Sequence, residues 1–86
     1  MPEISRFFGI VVAMYYNDHP PPHIHAYYRD FVIQVSIGSG ARRSGEFPAR
    51  AERLLMEWLN LHREELLVNW ELARHRRPLR RIEPLE

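Results

Sequence analysis

The chain has 86 residues, a formal net charge of +1 and no cysteine. The absence of cysteine excludes disulfides, thiolate nucleophiles and zinc sites built on cysteine. Because 45% of the residues are apolar, the composition excludes a disordered chain. The length corresponds to one small domain, for which dimerisation or a bound partner would add stability.

The N-terminal residues do not show the basic and then apolar pattern of a secretory signal peptide. The longest apolar stretch, residues 7–16, is too short to span a bilayer. We therefore expect a cytoplasmic protein without membrane attachment.

Residues 7–16 are rich in aromatic and β-branched side chains and predict the first strand. Both faces of this strand would be apolar, which indicates a strand that is buried on both sides or covered by a partner. Asn17, Asp18 and His19, followed by three prolines, end the strand, because proline fixes φ and lacks a backbone donor.

A second strand is predicted over residues 23–28, and Arg29 and Asp30 form a two-residue turn into a third strand over residues 31–37. The apolar side chains of the third strand recur at every second position, so that one of its faces is buried. Residues 41–47 add a short edge strand whose charged side chains hinder pairing with another chain.

Residues 48–75 predict one long helix, because Pro48 suits a first turn, the residues that follow favour helices and Pro78 stops the run. This interpretation assumes an unbroken helix, since a kink near Asn60 would rotate its second half.

The sequence therefore predicts one α+β domain over residues 1–86. A three- to four-stranded antiparallel sheet in residues 1–47 packs on one long C-terminal helix, either straight or kinked. An extended, Arg-rich tail follows in residues 76–86.

Three polar residues fall on the apolar face of the predicted helix. Stepping about 100° per residue gives one apolar arc: Leu54, Leu55, Trp58, Leu59 and Leu66. His62, Glu65 and Asn69 lie in the same arc. Buried polar groups need hydrogen-bond partners. These three residues therefore predict a satisfied core network, an edge of the helix that stays in contact with water, or a functional site between helix and sheet.

The second strand supplies candidate partners for such a site. His23 and His25 are two residues apart, so in a strand they point to one face, and His19 and the carboxylate of Asp18 lie one stiff loop away. Imidazoles of this kind bind zinc, nickel or iron, which predicts a metal site formed by these three histidines. Two strand histidines that only share hydrogen bonds are the structural alternative.

A catalytic alternative uses histidines that exchange protons near neutral pH, with an amide or an arginine to steady negative charge. It would suit metal-free cleavage of RNA. Its candidate residues are His23, His25, His62, Glu65 and Asn69.

The C-terminal segment is strongly basic and predicts contacts with an acidic protein or with nucleic-acid phosphates, or else a solvated tail. Its candidate residues are Arg74, Arg76, Arg77, Arg80 and Arg81. Trp58 and Trp70 are predicted to pack on the sheet. Because Trp70 lies about 100° from the centre of the apolar arc, its exposure at an interface is the alternative.

Several segments together resemble one protein family. They are Ile4–Ile10, Asn17–His19, Pro21–Ala26, Trp58, Leu61–Leu66, Asn69–Trp70, Pro78–Leu79 and Ile82–Leu85. The chain is similar in these segments to the domain of unknown function 4160 family of small bacterial proteins. It departs from the family pattern at Arg29–Asp30, where glycine is usual, and over residues 38–46.

The resemblance implies little chemistry. Members of the family often neighbour the domain of unknown function 2442 family in arrangements that resemble toxin–antitoxin pairs. The family's motif falls on His19, His23, His25, His62, Glu65 and Asn69, the same residues that the physical arguments select.

We therefore expect a small bacterial regulatory or binding protein of a toxin–antitoxin-like pair, acting through a cognate protein partner, with a homodimer or RNA as further partners. The apparent exposure of Trp70, the two-sided first strand and the Arg-rich tail favour this hypothesis. The alternative is a histidine-based metal-binding or RNA-cleaving enzyme with its site between the second strand and the helix. A third hypothesis is that the histidines only stabilise the fold.

Overall fold

A computed structural model describes residues 2–16 and 18–86. The chain forms a five-stranded antiparallel sheet, whose strands follow one another in sequence order, and then two helices. The elements are β1 (Glu3–Phe7), β2 (Ile10–Ala13), β3 (His23–Tyr28), β4 (Phe31–Ser36), β5 (Arg42–Gly45), α1 (Ala49–Leu61) and α2 (Arg63–Arg74). Neither helix is long and apolar enough to cross a membrane, within the part of the chain that the structure describes.

The class α+β is confirmed, but the predicted number of three to four strands is wrong. The segment expected to form one strand over residues 7–16 is a tight hairpin between β1 and β2, in which Phe7 pairs with Ile10. Phe8 and Gly9 form its turn with φ values of 48° and 80°, and two consecutive positive φ values are typical of a two-residue hairpin turn. The apolar pattern on both faces arose because two short strands were taken as one.

The middle of the sheet follows the prediction. β3 pairs with β4 from His23↔Ser36 to Tyr28↔Phe31, across the predicted turn of Arg29 and Asp30. β5 is fully exposed at one edge, as expected for the charged strand.

The prediction of one long helix is also wrong. His62, with φ −120° and ψ 22°, ends α1 and caps the start of α2. Arg63 fixes the break against the sheet, because its side chain donates to the carbonyl of Ile37 at 2.8 Å and to Asn60 Oδ1 at 2.8 Å. None of these residues is a helix breaker by propensity, so a tertiary contact accounts for the interruption.

The core lies between one face of the sheet and the two helices. Its fully buried members include Ile10, Val12, Ile24, Ile33 and Val35 from the strands and Leu55, Trp58, Leu59 and Leu66 from the helices. The break between the helices changes which side chains of α2 reach this core. Trp70 is only 4% exposed, which agrees with the predicted packing and not with the alternative of an exposed interface residue, whereas Glu65, expected in the apolar arc, is exposed.

The C-terminal segment packs on the domain. The amide of Ile82 donates to the carbonyl of Ile4 at 2.9 Å, and the Trp58 indole donates to the carbonyl of Glu83 at 2.8 Å. The side chains of Ile82 and Leu85 are buried in the core. Residues 79–86 therefore lack regular secondary structure but form part of the packed domain.

The close approach of β5 to β4 requires glycine at position 45. Gly45 has φ +85°, and a Cβ added there would lie 2.1 Å from the carbonyl oxygen of Val32. We expect Gly45→Ala to lower the free energy of unfolding by about 2 kcal/mol or more, since both the left-handed backbone and the clash oppose it. Gly38→Ala is the control, because a Cβ at Gly38 meets no atom within 4 Å. Equal denaturation midpoints for the two variants would contradict this account.

Asn69 fastens the C-terminal segment to α2. Its side chain donates to the carbonyl of Arg80 at 2.9 Å and accepts from the amide of Arg80 at 3.0 Å. We expect Asn69→Ala to cost about 2 kcal/mol of stability, because two hydrogen bonds of a buried amide are lost. Trypsin should then cut after Arg80 and Arg81 faster than in the wild-type protein.

Glu71→Ala is the control for this variant. Glu71 forms an ion pair with Arg74 in which both side chains are more than half exposed, so its loss should change stability by less than about 0.5 kcal/mol. If the tail were cleaved equally fast in both variants, Asn69 would not be what holds it.

Candidate metal centre

The sheet brings His23 and His25 together, as their spacing predicts. Ile24 between them is fully buried in the core, so the two histidines share the opposite face of β3. The centroids of their rings lie 5.4 Å apart. His23 is buried, with 3% exposure, and His25 is partly exposed.

Asp18 reaches this pair from the loop before β3. Its Oδ2 lies 2.9 Å from His23 Nε2, while its Oδ1 accepts a hydrogen bond from the backbone amide of His19. A carboxylate only accepts hydrogen bonds. Nε2 of His23 therefore carries a proton when it bonds to Asp18 directly.

The other ring nitrogen of His23 has two competing neighbours. Nδ1 lies 2.9 Å from the carbonyl oxygen of Pro21 and 2.6 Å from an Nη atom of Arg43. The carbonyl only accepts and the guanidinium only donates. Without a proton, Nδ1 accepts a hydrogen bond from Arg43. With a proton, it donates one to the carbonyl of Pro21, so it cannot bond to both at once.

His25 presents an imidazole nitrogen that has no partner. Its Nδ1 is buried and forms no hydrogen bond with any described residue. Burial lowers the pKa of His25; the Asp18 charge opposes this shift, whereas His23 and Arg43 add to it. A lowered pKa keeps the imidazole neutral, which is the form that binds metal ions.

Asp18, His23 and His25 together form what we call the donor cluster. One ligand atom from each lies within 4.8 Å of the others. Donors around a tetrahedral ion stand about 3.4 Å apart. The Asp18 and His23 atoms, 2.9 Å apart, would therefore separate slightly around an ion, and atoms that lie farther apart, up to 4.8 Å, would approach each other. Two imidazoles and one carboxylate suit zinc, nickel or iron.

Aromatic side chains support the cluster on two sides. The Trp70 ring lies against His23 with centroids 5.3 Å apart, and Tyr15 meets His25 edge to face at 4.7 Å. The hydroxyls of Tyr15 and Tyr27 are hydrogen-bonded to each other. Burial, and then this hydrogen bond, raise the pKa of Tyr27 to about 12, so its hydroxyl stays protonated at neutral pH.

The other predicted site residues lie in different contacts. His19 is exposed beside Asp18, and its ring has no contact within the described part of the chain. His62 Nδ1 lies 2.6 Å from Glu65 Oε1, and its ring lies against Trp58 with centroids 5.6 Å apart. Asn69 bonds to the backbone of the tail. Among residues 2–16 and 18–86, no described contact joins His62, Glu65 or Asn69 to the donor cluster.

The candidate residues for partner binding fall into three groups: arginines in ion pairs, exposed arginines and a buried tryptophan. Arg74 pairs with Glu71, and Arg81 pairs with Glu3, so both contribute to the surface of the folded domain. Arg76, Arg77 and Arg80 are exposed. Trp70 is buried against His23 and belongs to the support of the donor cluster rather than to an exposed surface.

Three residues of the site were not foreseen. Arg43 was predicted only as a charged edge residue, and Tyr15 and Tyr27 only as strand residues. The alternation of side chains along β3 could have identified Tyr27, because it lies two residues after His25 and shares its face. The contact of Arg43 depends on the register of β5 on β4, which shifts between Gln34 and Val35 and which the sequence pattern does not reveal.

The comparisons with known proteins identify a family and nothing closer. Residues 9–71 match the sequence model of a family described as a domain of unknown function (DUF4160). Neither the curated proteins nor the solved structures with which the chain was compared contain a match. The matched range includes the whole donor cluster and Arg43.

The raised pKa of Tyr27 makes stability depend on alkaline pH. Above its usual pKa of 10 the unfolded chain ionises this tyrosine, whereas the folded protein keeps the proton until about pH 12. The contribution is therefore complete below pH 10 and is lost as the pH rises towards 12. We expect Tyr27→Phe to show a shallower fall in unfolding free energy over this window. Tyr16→Phe, at an exposed position, should keep the wild-type slope; equal slopes in all three proteins would contradict the assignment.

Proposed function

The chain belongs to the DUF4160 family and, since that description names no activity, we propose from the site itself that this protein binds a divalent transition metal ion. The ligands are the donor cluster of Asp18, His23 and His25. The observation that carries the proposal is that all three donors lie within 4.8 Å of one another.

The surroundings of His23 favour coordination through Nε2. Histidine ligands of metal ions commonly donate their second ring N–H to a backbone carbonyl. The Pro21 carbonyl lies 2.9 Å from Nδ1 and is placed to accept that proton. Nε2 then faces the Asp18 carboxylate at 2.9 Å, with its lone pair available for an ion between them.

The state of His25 also supports the proposal. A buried nitrogen without a hydrogen-bond partner costs free energy, and Nδ1 of His25 is such a nitrogen. Small rotations of a partly exposed ring can bring one nitrogen onto an ion while the other reaches solvent. A bound ion with three protein ligands keeps an open position, at which it acts as a Lewis acid.

The protein partner suggested by the family resemblance stays a prediction. Of the three features that favoured it, the two-sided first strand is a hairpin, Trp70 is buried, and the tail is fastened to the domain. Metal-free RNA cleavage likewise stays untested, but it has less support. Both nitrogens of His23 have protein partners, and His62 is paired with Glu65.

Titration calorimetry and native mass spectrometry of the wild-type protein with Zn²⁺, Ni²⁺ and, without oxygen, Fe²⁺ test the proposal. We expect one ion per chain and at least about tenfold weaker binding in Asp18→Asn, which keeps the size of the side chain but loses its charge. His25→Ala should lose binding as well, because a ligand is removed.

Two control variants make this experiment specific. His75→Ala removes an exposed histidine that bonds to the Glu71 carbonyl and should bind metal like the wild type. His19→Ala separates the two candidate ligand sets, and we expect it to retain binding while Asp18→Asn loses it. Absence of binding for all three ions, in a wild-type protein shown to be folded by circular dichroism, would overturn the proposal.

A further inference from the structure

The position of Arg43 beside the donor cluster points to a second ligand. We propose that the metal-loaded site takes a phosphate group, with one oxygen on the ion and others on the Arg43 guanidinium. This inference rests on the proposed metal site and names the class of ligand that the site would accept.

Arg43 differs from the neighbouring arginine of β5. Arg42 forms an ion pair with Glu52 at 3.0 Å. Arg43 has no carboxylate partner among the described residues, and its described hydrogen bond is to His23 Nδ1 at 2.6 Å. A charged guanidinium with five donors is thus held by the lone pair of one neutral ring nitrogen.

Metal binding would remove that single acceptor. A neutral imidazole bound to an ion through Nε2 carries its proton on Nδ1, and the carbonyl of Pro21 is placed to accept it. Nδ1 and the guanidinium would then both be donors. Arg43 must leave Nδ1, but its backbone in β5 keeps it next to the site.

The charges of the loaded site favour an anion. Asp18 and Arg43 cancel each other, and the two histidines bind the ion in their neutral form, so a divalent ion leaves an excess of two positive charges. Within the described residues, no other carboxylate contacts Arg43 or the donor cluster. An oxyanion that binds both the ion and Arg43 neutralises this excess.

The number and kind of donors favour phosphate over a carboxylate. The planar guanidinium matches two phosphate oxygens in a bidentate contact, and the open position on the ion takes another. The hydroxyls of Tyr15 and Tyr27 are bonded to each other beside His25, and the hydroxyl that does not donate in this bond offers a further donor on the same face. A phosphate group has enough oxygens for all three, whereas a carboxylate has two.

The test measures binding of inorganic phosphate to the Zn²⁺-loaded protein and to the metal-free protein by calorimetry. We expect binding only to the loaded protein. Arg43→Ala should weaken phosphate binding by about tenfold or more, because a charge-assisted bidentate contact is lost. The same variant should bind Zn²⁺ at least as tightly as the wild type, since the competitor for Nδ1 is gone.

Arg42→Ala is the matched control, one residue away on the same strand, and it should bind phosphate like the wild type. A mononucleotide and a dinucleoside monophosphate, added in separate titrations, distinguish a phosphomonoester from a phosphodiester as the source of the group, and acetate should bind more weakly than either. Equal loss of phosphate affinity in both arginine variants would indicate general surface charge and overturn the inference.

Failure of the inference is distinguishable from failure of the proposed function. If Zn²⁺ does not bind, the metal site itself is wrong. If Zn²⁺ binds through Asp18 and His25 but phosphate does not bind, or if Arg43→Ala binds phosphate with unchanged affinity, the metal site stands and the phosphate inference is overturned.

Discussion

Burial of Ile24 and Ala26 on β3 is the constraint on which the rest of the structure depends. β3 is the central strand and pairs with β2 and β4, so its core face is fixed by neighbours on both sides. Because side chains alternate along a strand, the burial of these two residues commits His23 and His25 to the opposite face. The placement of the two histidines of the donor cluster is therefore a consequence of the hydrophobic pattern, and a shift of register by one residue would turn both imidazoles into the core.

The C-terminal half completes a core that the sheet alone cannot cover. The break at His62 lets two short helices pack on a twisted five-stranded sheet, and Arg63 ties the break to the end of the core strands through the Ile37 carbonyl. The segment after α2 then adds Ile82 and Leu85 to the same core. Small domains are marginally stable, so the recruitment of the tail gives a physical reason why a chain of this length can bury its apolar side chains within one subunit.

The alternation of apolar side chains and the turn residues predicted the parts of the fold that depend on neighbouring residues in the sequence. The strands β3 and β4, their two-residue turn and the paired histidines follow from alternation and turn chemistry alone. The hairpin at Gly9 was missed because apolar residues on either side of it outweighed a glycine that signals a turn. The break at His62 had no local signal, since it depends on a contact between Arg63 and the carbonyl of Ile37, which directly follows β4 and lies 26 residues earlier. Arg43 joined the site for the same reason, because it arrives through strand pairing, whereas Asp18 was expected near the histidines because it lies one proline-rich loop before them.

The arrangement around His23 is difficult to explain as structure alone. A histidine that only stabilises the fold needs one acceptor and one donor, yet Nδ1 has both a carbonyl and a guanidinium within hydrogen-bonding distance. One of the two neighbours therefore always lacks a hydrogen bond to this ring while the ring binds Asp18 through an N–H. An ion on Nε2, as proposed above, would leave the Nδ1 proton for the Pro21 carbonyl. Arg43, which lies on the exposed edge strand β5, would then need another acceptor, such as an anion. The guanidinium of Arg43, a hydrogen-bond donor in excess of the acceptors around it, is thus a reason to regard the donor cluster and Arg43 as one site with two ligands rather than as a buried polar network.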